Sequence, residues 1–324
     1  MNSVRVSAPG KLMLLGDHAV IYNRPCIATA VSQRMYLNAS IIKENILSIN
    51  AADVGIINYS KPINDLTKGE VPKGVEYVEH CVSNIFNKFN LKSGLKIETK
   101  SDFNSLLGFG SSSSSSVCTI KAISQLFNLN LSNKEIFDLA YKAVIDIKGI
   151  GSGYDIACAV YGGTLYFTTG GKIIEKLNIK SLPLIVGYTG IKADTANIVK
   201  DLANRMKYKS KIFNSIFDKI TNLVERARVL LVTQDFLELG ILFNLNQGYL
   251  KDLGVSSKIL DDLIYAAIKG GAWGAKLSGA GIGDCMIAIS PKSKTKSVIN
   301  SIEKSKGKNI EIKTNVEGVR IERL

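Results

Sequence analysis

Gly108-Phe109-Gly110 is followed by six consecutive serines, Ser111 to Ser116, and the stretch runs directly into Val117–Phe127. Apolar side chains at 117, 120, 123 and 127 fall at helical spacing, so a glycine turn feeds a helix whose first turn is serine. Glycine has no side chain to keep a ligand away from the backbone. The start of a helix offers unpaired N–H groups and a positive dipole end, and both suit a phosphate. Serine hydroxyls add donors and can ligate a metal. A flexible Gly/Ser linker is the competing reading, but a linker does not lead straight into an amphipathic helix. The stretch is not a Walker loop, because the first lysine after Gly110 is Lys121.

At 324 residues the chain suggests about two domains. No apolar run approaches the roughly 18 residues of a membrane span, and the N-terminus lacks the apolar core of a signal peptide, so the cytoplasm is the expected compartment. Five scattered cysteines form no C-x-x-C pair or Cys/His cluster, which implies neither a disulfide framework nor a zinc site. The formal charge of +13 admits a nucleic-acid binder or a polyanionic small substrate. The lysines are spread along the chain without a basic block, so a solvated surface is expected and no nucleic-acid partner.

Val4 to Ala8 alternates like a strand, Pro9-Gly10 signals a break, and an apolar run resumes over Lys11–Leu15. A strand is expected over 37–49 with a turn near Glu44-Asn45, then a long polar loop over 50–73. Val75, Val78, Val82, Ile85, Phe86 and Phe89 form a helical stripe. Leu95–Thr99 alternates as a strand, and 133–148 reads as a helix with a capping box at Ser132 and Glu135. Thr164–Thr168 is a strand with a Gly170-Gly171 turn behind it. The segment ahead of Pro183 marks a domain boundary, dividing the chain into 1–181 and 182–324. Beyond it come a strand at 184–188, helices over about 195–270, a strand at 285–289, a helix near 293–304, and strands at 309–313 and 317–321. Strands and helices mix without regular alternation, which favours α+β layers.

Three glycine segments, Pro9–Gly16, Gly108–Ser116 and Gly279–Gly283, stand in that order, and a fourth, Gly149–Asp155, ends in an acid. Together they resemble the GHMP family of small-molecule kinases, from Ser7 to Ile289. The resemblance implies an S5-like, ATP-binding N-terminal domain and a ferredoxin-like C-terminal domain. It also implies ATP- and magnesium-dependent phosphorylation of a small hydroxylated acceptor, with no membrane partner and with room for a homodimer. Within the family the first motif, Ser7 to Tyr22, looks most like the mevalonate kinases. That implies mevalonate as acceptor and 5-phosphomevalonate as product, with phosphomevalonate kinase or another member of the family as the alternative. A basic nucleic-acid binder on an S5-like domain and a catalytically silent metabolite sensor are the readings from other classes.

Position by position, the resemblance assigns Gly108, Gly110, Ser111, Ser112 and Ser113 to the nucleotide phosphates and Ser112 to magnesium. Asp155 matches the catalytic aspartate and Lys11 the lysine paired with it. Asp17, His18 and Thr195 match acceptor-binding positions, and Gly279, Ala280 and Gly281 line the site from the second domain. Phosphoryl transfer needs charge neutralisation and in-line positioning more than covalent chemistry. Lys11 supplies a point charge for the transferring group, and Asp155 can orient or deprotonate a hydroxyl. Without the resemblance the bland readings are a turn aspartate, a surface lysine and a structural histidine.

The chain departs from the family pattern in places. Asp17 stands where glutamate is usual, and Ser105 where a proline often precedes the loop. Val144 stands eleven residues before Asp155, where mevalonate kinases commonly carry a magnesium-holding glutamate. Magnesium tolerates that change if Ser112, phosphates and waters complete its shell. Asp146 is rotated off that helix face. Gly151–Asp155 and Asp284 look like phosphomevalonate kinase details. Against a second phosphate on the acceptor, Lys192 is the one spare cation in the assigned segments, and Asp17 and Asp194 would repel a dianion.

Overall fold

The computed structural model describes residues 2–103 and 107–323; Ser105 lies outside the described residues. Strand β1 (Ser3–Leu15) runs through Pro9-Gly10 without ending, so the expected break is a bulge. Its partner β2 (Cys26–Ile42) pairs Pro9 with Arg34 but Gly10 with Val31. Ser32 and Gln33 of β2 are left out of the ladder there, and the alternation of β1 changes phase across the irregularity. Val4, Val6 and Ala8 lie in the core under the first domain's helices; beyond the bulge Met13 does, while Leu12 and Leu14 enter a second core. Lys11, in step with Met13, is thereby turned toward those helices.

The first sheet continues with β3 (Ile46–Ala51) and β4 (Ile56–Pro62). The second of these occupies part of the expected 50–73 loop. It is an edge strand paired with β3 alone and mostly exposed, so it has no buried face to print a period-2 pattern. The early half of β2 was also illegible as a strand. It is buried on both sides, and such strands read as continuous apolar runs. Helix α1 (Glu76–Phe89), β5 (Gly94–Ser101), α2 (Ser111–Leu126) and α3 (Asn133–Lys148) follow. The Ser132/Glu135 capping box is formed at the start of α3. A short helix α4 (Tyr154–Tyr161) leads to the hairpin β6 (Thr164–Phe167) and β7 (Ile174–Lys176). α2 lies on β1 and β2 with α1 and α3 behind it, and α4 packs beside it on the same strands.

A segment over 177–183 without helix or strand carries the chain to the second sheet. There β8 (Leu184–Tyr188) is followed by α5 (Thr195–Tyr208), α6 (Ser210–Thr233), α7 (Phe236–Asp252) and α8 (Lys258–Lys269). Then come β9 (Gly274–Ser278), β10 (Cys285–Ile289), α9 (Thr295–Lys304) and β11 (Lys308–Ile310). The antiparallel order β11-β8-β10-β9 is the split βαβ arrangement of a ferredoxin-like sheet. The chain then returns: β12 (Arg320–Ile321) pairs with β1. The expectation that all of 182–324 belongs to the second unit therefore fails for the tail from about residue 312. The second core also crosses the boundary, joining Leu12, Leu14 and Phe109 to the second sheet.

Arg34 holds that tail. Buried, it donates to Ser7 Oγ at 2.7 Å, Ser7 O at 3.0 Å, Gly318 O at 2.7 Å and Glu317 O at 3.2 Å. Arg34→Ala strips these acceptors of charged donors, and a loss of roughly 2–4 kcal/mol in urea unfolding is expected. Faster proteolysis of the tail should accompany it. A change under about 0.5 kcal/mol would mean that strand pairing alone holds the tail.

Candidate active site

The phosphate-loop candidate is built against the bulge. Lys11 N–H donates to Phe109 O at 3.0 Å, and Lys11 Nζ donates to Gly108 O at 2.8 Å. Ser114 Oγ donates to Pro9 O at 2.9 Å. Phe109 is buried in the core shared between the domains. Gly110, at φ 84°, caps α2 without a side chain. The N–H groups of the first turn are left for a ligand. Ser111 and Ser112 are only partly buried, whereas Ser113 to Ser116 are buried. Ser115 and Ser116 hydroxyls turn back onto Ser112 O at 2.9 and 2.8 Å.

Asp155 enters from the first turn of α4, whose N-cap Gly153 is left-handed, φ 89°. Tyr141 Oη donates to Gly151 O at 2.7 Å and steadies the preceding turn. Ser113 Oγ donates to Asp155 Oδ2 at 2.5 Å, and Ile156 N–H donates to Oδ1 at 3.0 Å. Lys11 and Asp155 flank Gly110: a Cβ on that glycine would lie 3.3 Å from Lys11 Cε and 3.9 Å from Asp155 Cβ. The pairing expected between them is not a direct salt bridge. The Lys11 ammonium donates to Gly108 O and lies 5.3 Å from the centroid of the Tyr154 ring. Two helix starts and one lysine thus converge beside one carboxylate, an arrangement suited to phosphate charge.

The acceptor-side residues are organised differently from expectation. Asp17 is buried, and its Oδ2 sits 2.7 Å from Lys276 Nζ, off the line of a hydrogen bond but well inside ion-pair range. Its Oδ1 accepts from Gly279 N–H at 2.9 Å. Both oxygens are engaged within the protein, so Asp17 joins the domains and does not point freely at an acceptor. Burial pushes the Lys276 ammonium down, and Asp17 opposes that shift. Ser278 Oγ bridges Met13 N–H and O at 3.1 and 2.9 Å beside the pair. Lys276 and Ser278 were missed as functional positions, although a lysine between Ala275 and Leu277 in an apolar stretch was the available signal.

His18 holds a left-handed backbone, φ 60°, and is buried. Its Nε2 pairs with Ala280 O at 2.9 Å, while Nδ1 is buried without a partner. Burial lowers its pKa, with the Ala280 carbonyl and Asp17 opposing. The neutral ring therefore donates from Nε2 and leaves Nδ1 as an acceptor. Gly279 borders open space, but Gly281 is buried, and a Cβ there would fall 1.9 Å from Val255 O. Gly281 serves a backbone crossing against Val255. Thr195 is exposed at the start of α5.

Among the described residues, no three His, Cys, Asp or Glu side chains gather to hold a metal. The donor set fits magnesium that takes most of its oxygens from phosphate and water, with the half-exposed Ser112 hydroxyl as the protein's share. Val144 packs on Gly151, and Asp146 is bound to Lys142 and Asn84 on another face.

Lys276→Met leaves Asp17 as an uncompensated buried charge, and a loss of about 3–5 kcal/mol in denaturant unfolding is expected. Adding Asp17→Asn should restore most of it; a double variant no better than the single would remove charge pairing as the cause. A histidine buried neutral makes stability fall as pH drops below about 6.5, where the unfolded chain takes the proton more readily. Thermal melts between pH 7.5 and 5 should show a steeper acid loss for the native chain than for His18→Gln. Parallel curves would mean that His18 takes up its proton without cost in the folded state.

Residues 76–163 match the family described as GHMP kinases N terminal domain, and residues 227–309 match GHMP kinases C terminal. A mevalonate kinase of Pyrococcus abyssi is 34% identical over 99% of this chain and 98% of its own. A mevalonate kinase of Thermococcus sibiricus is 35% identical over 98% of both. The crystal structure of the Methanococcus jannaschii mevalonate kinase shares the fold, with a TM-score of 0.81 at 24% identity, over 97% of this chain and 98% of that one. Both halves of the chain match in family order and full-length relatives accompany them: the chain belongs to the GHMP kinases and has their two-domain fold.

Proposed function

We propose that this kinase transfers the γ-phosphoryl group of ATP to mevalonate, giving 5-phosphomevalonate and ADP, with magnesium as its metal. The observation that carries the choice of acceptor is the balance of charge around the loops. Lys11 is engaged with Gly108 O, and Lys11 and Lys192 are the cations that act on the buried Asp284. Among the described residues assigned to the loops, Lys192 is the one cation beside Lys11, too few for the second phosphate of phosphomevalonate. The full-length likeness to proteins named mevalonate kinase supports the same acceptor.

In the proposed reaction the phosphates rest on the free N–H groups of α2, with Ser111 and Ser112 beside them. Asp155 takes the proton of the primary hydroxyl as the new O–P bond forms. The bond from the γ-phosphorus to the bridging oxygen breaks, and ADP leaves with that electron pair. Ser113 holds Asp155 in orientation, and Lys11 opposes the negative charge of the transferring group. Magnesium, held by Ser112 and phosphate oxygens, would neutralise the phosphates. His18 Nδ1, Gly279 and Thr195 form the proposed acceptor wall. The cytoplasm is the proposed compartment. Among the described residues no helix is long and apolar enough to cross a membrane.

A coupled ADP-release assay with both acceptors tests the reading. A higher kcat/KM for mevalonate is expected, and a higher value for phosphomevalonate would overturn it. Asp155→Asn should lower kcat by about 100- to 10,000-fold with ATP affinity nearly kept, and near-normal turnover would remove Asp155 from the mechanism. Ser112→Ala should raise the magnesium requirement, while Ser114→Ala, which frees Pro9 O, should act on stability.

A further inference from the structure

Asp284 closes the third glycine segment and has no place in the reaction as written. It is 6% exposed and left-handed, φ 56°. Ile282, two residues earlier, is left-handed too, φ 62°, a costly conformation for a β-branched side chain. Strain of this kind persists only where the surroundings demand it.

The demand is a joint. Asp284 N–H donates to Ile191 O at 2.8 Å, and Asp284 O accepts from Thr189 N–H at 3.0 Å and Thr189 Oγ1 at 2.9 Å. Its side-chain Oδ1 accepts from Ala193 N–H at 2.9 Å. Its Oδ2 lies against the phosphate loop, so close that a Cβ on Gly108 would fall 2.6 Å from it. Gly283 completes the contact, since a Cβ there would meet Ile191 O at 2.7 Å. One residue therefore grips the loop from Thr189 to Ala193 and touches the nucleotide-side loop across the domain boundary. Burial raises its carboxyl pKa; the Ala193 N–H, Lys11 and Lys192 oppose that shift.

We propose that Asp284 is a positioning residue that sets the Thr189–Ala193 loop, and with it Lys192 and the start of α5 at Thr195, at a fixed distance from the Gly108 loop. Acceptor and phosphoryl donor then meet across the domains in register. The proposal rests on the acceptor reading above. It also gives Gly108 a second reason to be glycine, beyond its φ of 71°.

The test compares Asp284→Gly with Asp284→Asn. Glycine accepts the left-handed backbone at no cost, and asparagine tolerates it while keeping an acceptor oxygen for Ala193. Asp284→Gly should raise the mevalonate KM by about tenfold, the scale of a lost hydrogen bond, with little change in ATP affinity. Amide hydrogen exchange in 189–195 should accelerate in the same variant, and Asp284→Asn should keep most of the native behaviour in both readouts. Unchanged KM and exchange in Asp284→Gly would overturn the proposal. So would an Asp284→Asn variant as damaged as the glycine one, which would make charge the cause. A fall in kcat alone, with loop exchange intact, would also overturn it by placing Asp284 at the reacting group. The exchange measurement needs no turnover, so it decides the joint even if the native enzyme proves to use another acceptor.

Discussion

The site depends on one irregularity in the pairing of β1 with β2. Without the bulge at Pro9-Gly10, the alternation set by Val4, Val6 and Ala8 would carry Lys11 to the opposite face of the sheet, away from α2 and α4. With it, Lys11 reaches Gly108 O and lies beside Gly110. The same irregularity frees Pro9 O for Ser114 and brings Gly10 against Phe109, where a Cβ would sit 3.1 Å from the Phe109 carbonyl. Strand, glycine loop and helix start are thus set by one local distortion. This accords with the tendency of bulges to lie next to active sites and re-aim a side chain.

The second constraint is the seam between domains. A purely apolar interface would allow the two halves to settle in several closely similar ways. The Asp17–Lys276 pair, fully buried on both sides, is worth little as stability because desolvating both charges offsets their attraction. Its geometric demand is strict: the amine must meet the carboxylate, and Gly279 N–H and the Ser278–Met13 bridge must form beside it. The seam therefore specifies one docking, and that docking brings the third glycine segment to His18 and to the phosphate loop.

Much of this was legible beforehand, and the misses share a cause. Helices with one solvated face, such as α1 and α3, print their period in the sequence and were placed nearly to the residue. The edge strand β4 and the doubly buried half of β2 carry no alternation and were lost. The turn chemistry of Pro9-Gly10 was recognised, but a bulge and a break draw on the same residues, and only pairing with β2 decides between them. At the site, the glycine and serine run suggested a phosphate loop, and the family resemblance suggested Asp155. They did not give the partners: Asp17 looked like an acceptor ligand because nothing local reveals that Lys276, far along the chain, occupies its carboxylate.

The six serines make the same point within one helix turn and a half. As letters they are identical, yet the α-helical period gives them different tasks. Ser111 and Ser112 face outward at the helix start. Ser113 reaches Asp155, Ser114 reaches Pro9 O, and Ser115 and Ser116 fold back onto Ser112 O. A larger residue at the buried positions would push α2 off β1 and β2, because the interior has no slack. Alanine would fit, but would leave Pro9 O without its serine donor and Asp155 without its steadying hydroxyl. Serine is small enough for the contact and polar enough to satisfy it, and every buried hydroxyl in the run has a partner, so burial carries little penalty. The run that resembles a flexible linker by composition is thus a rigid part of the protein, with only its first two hydroxyls left for a ligand.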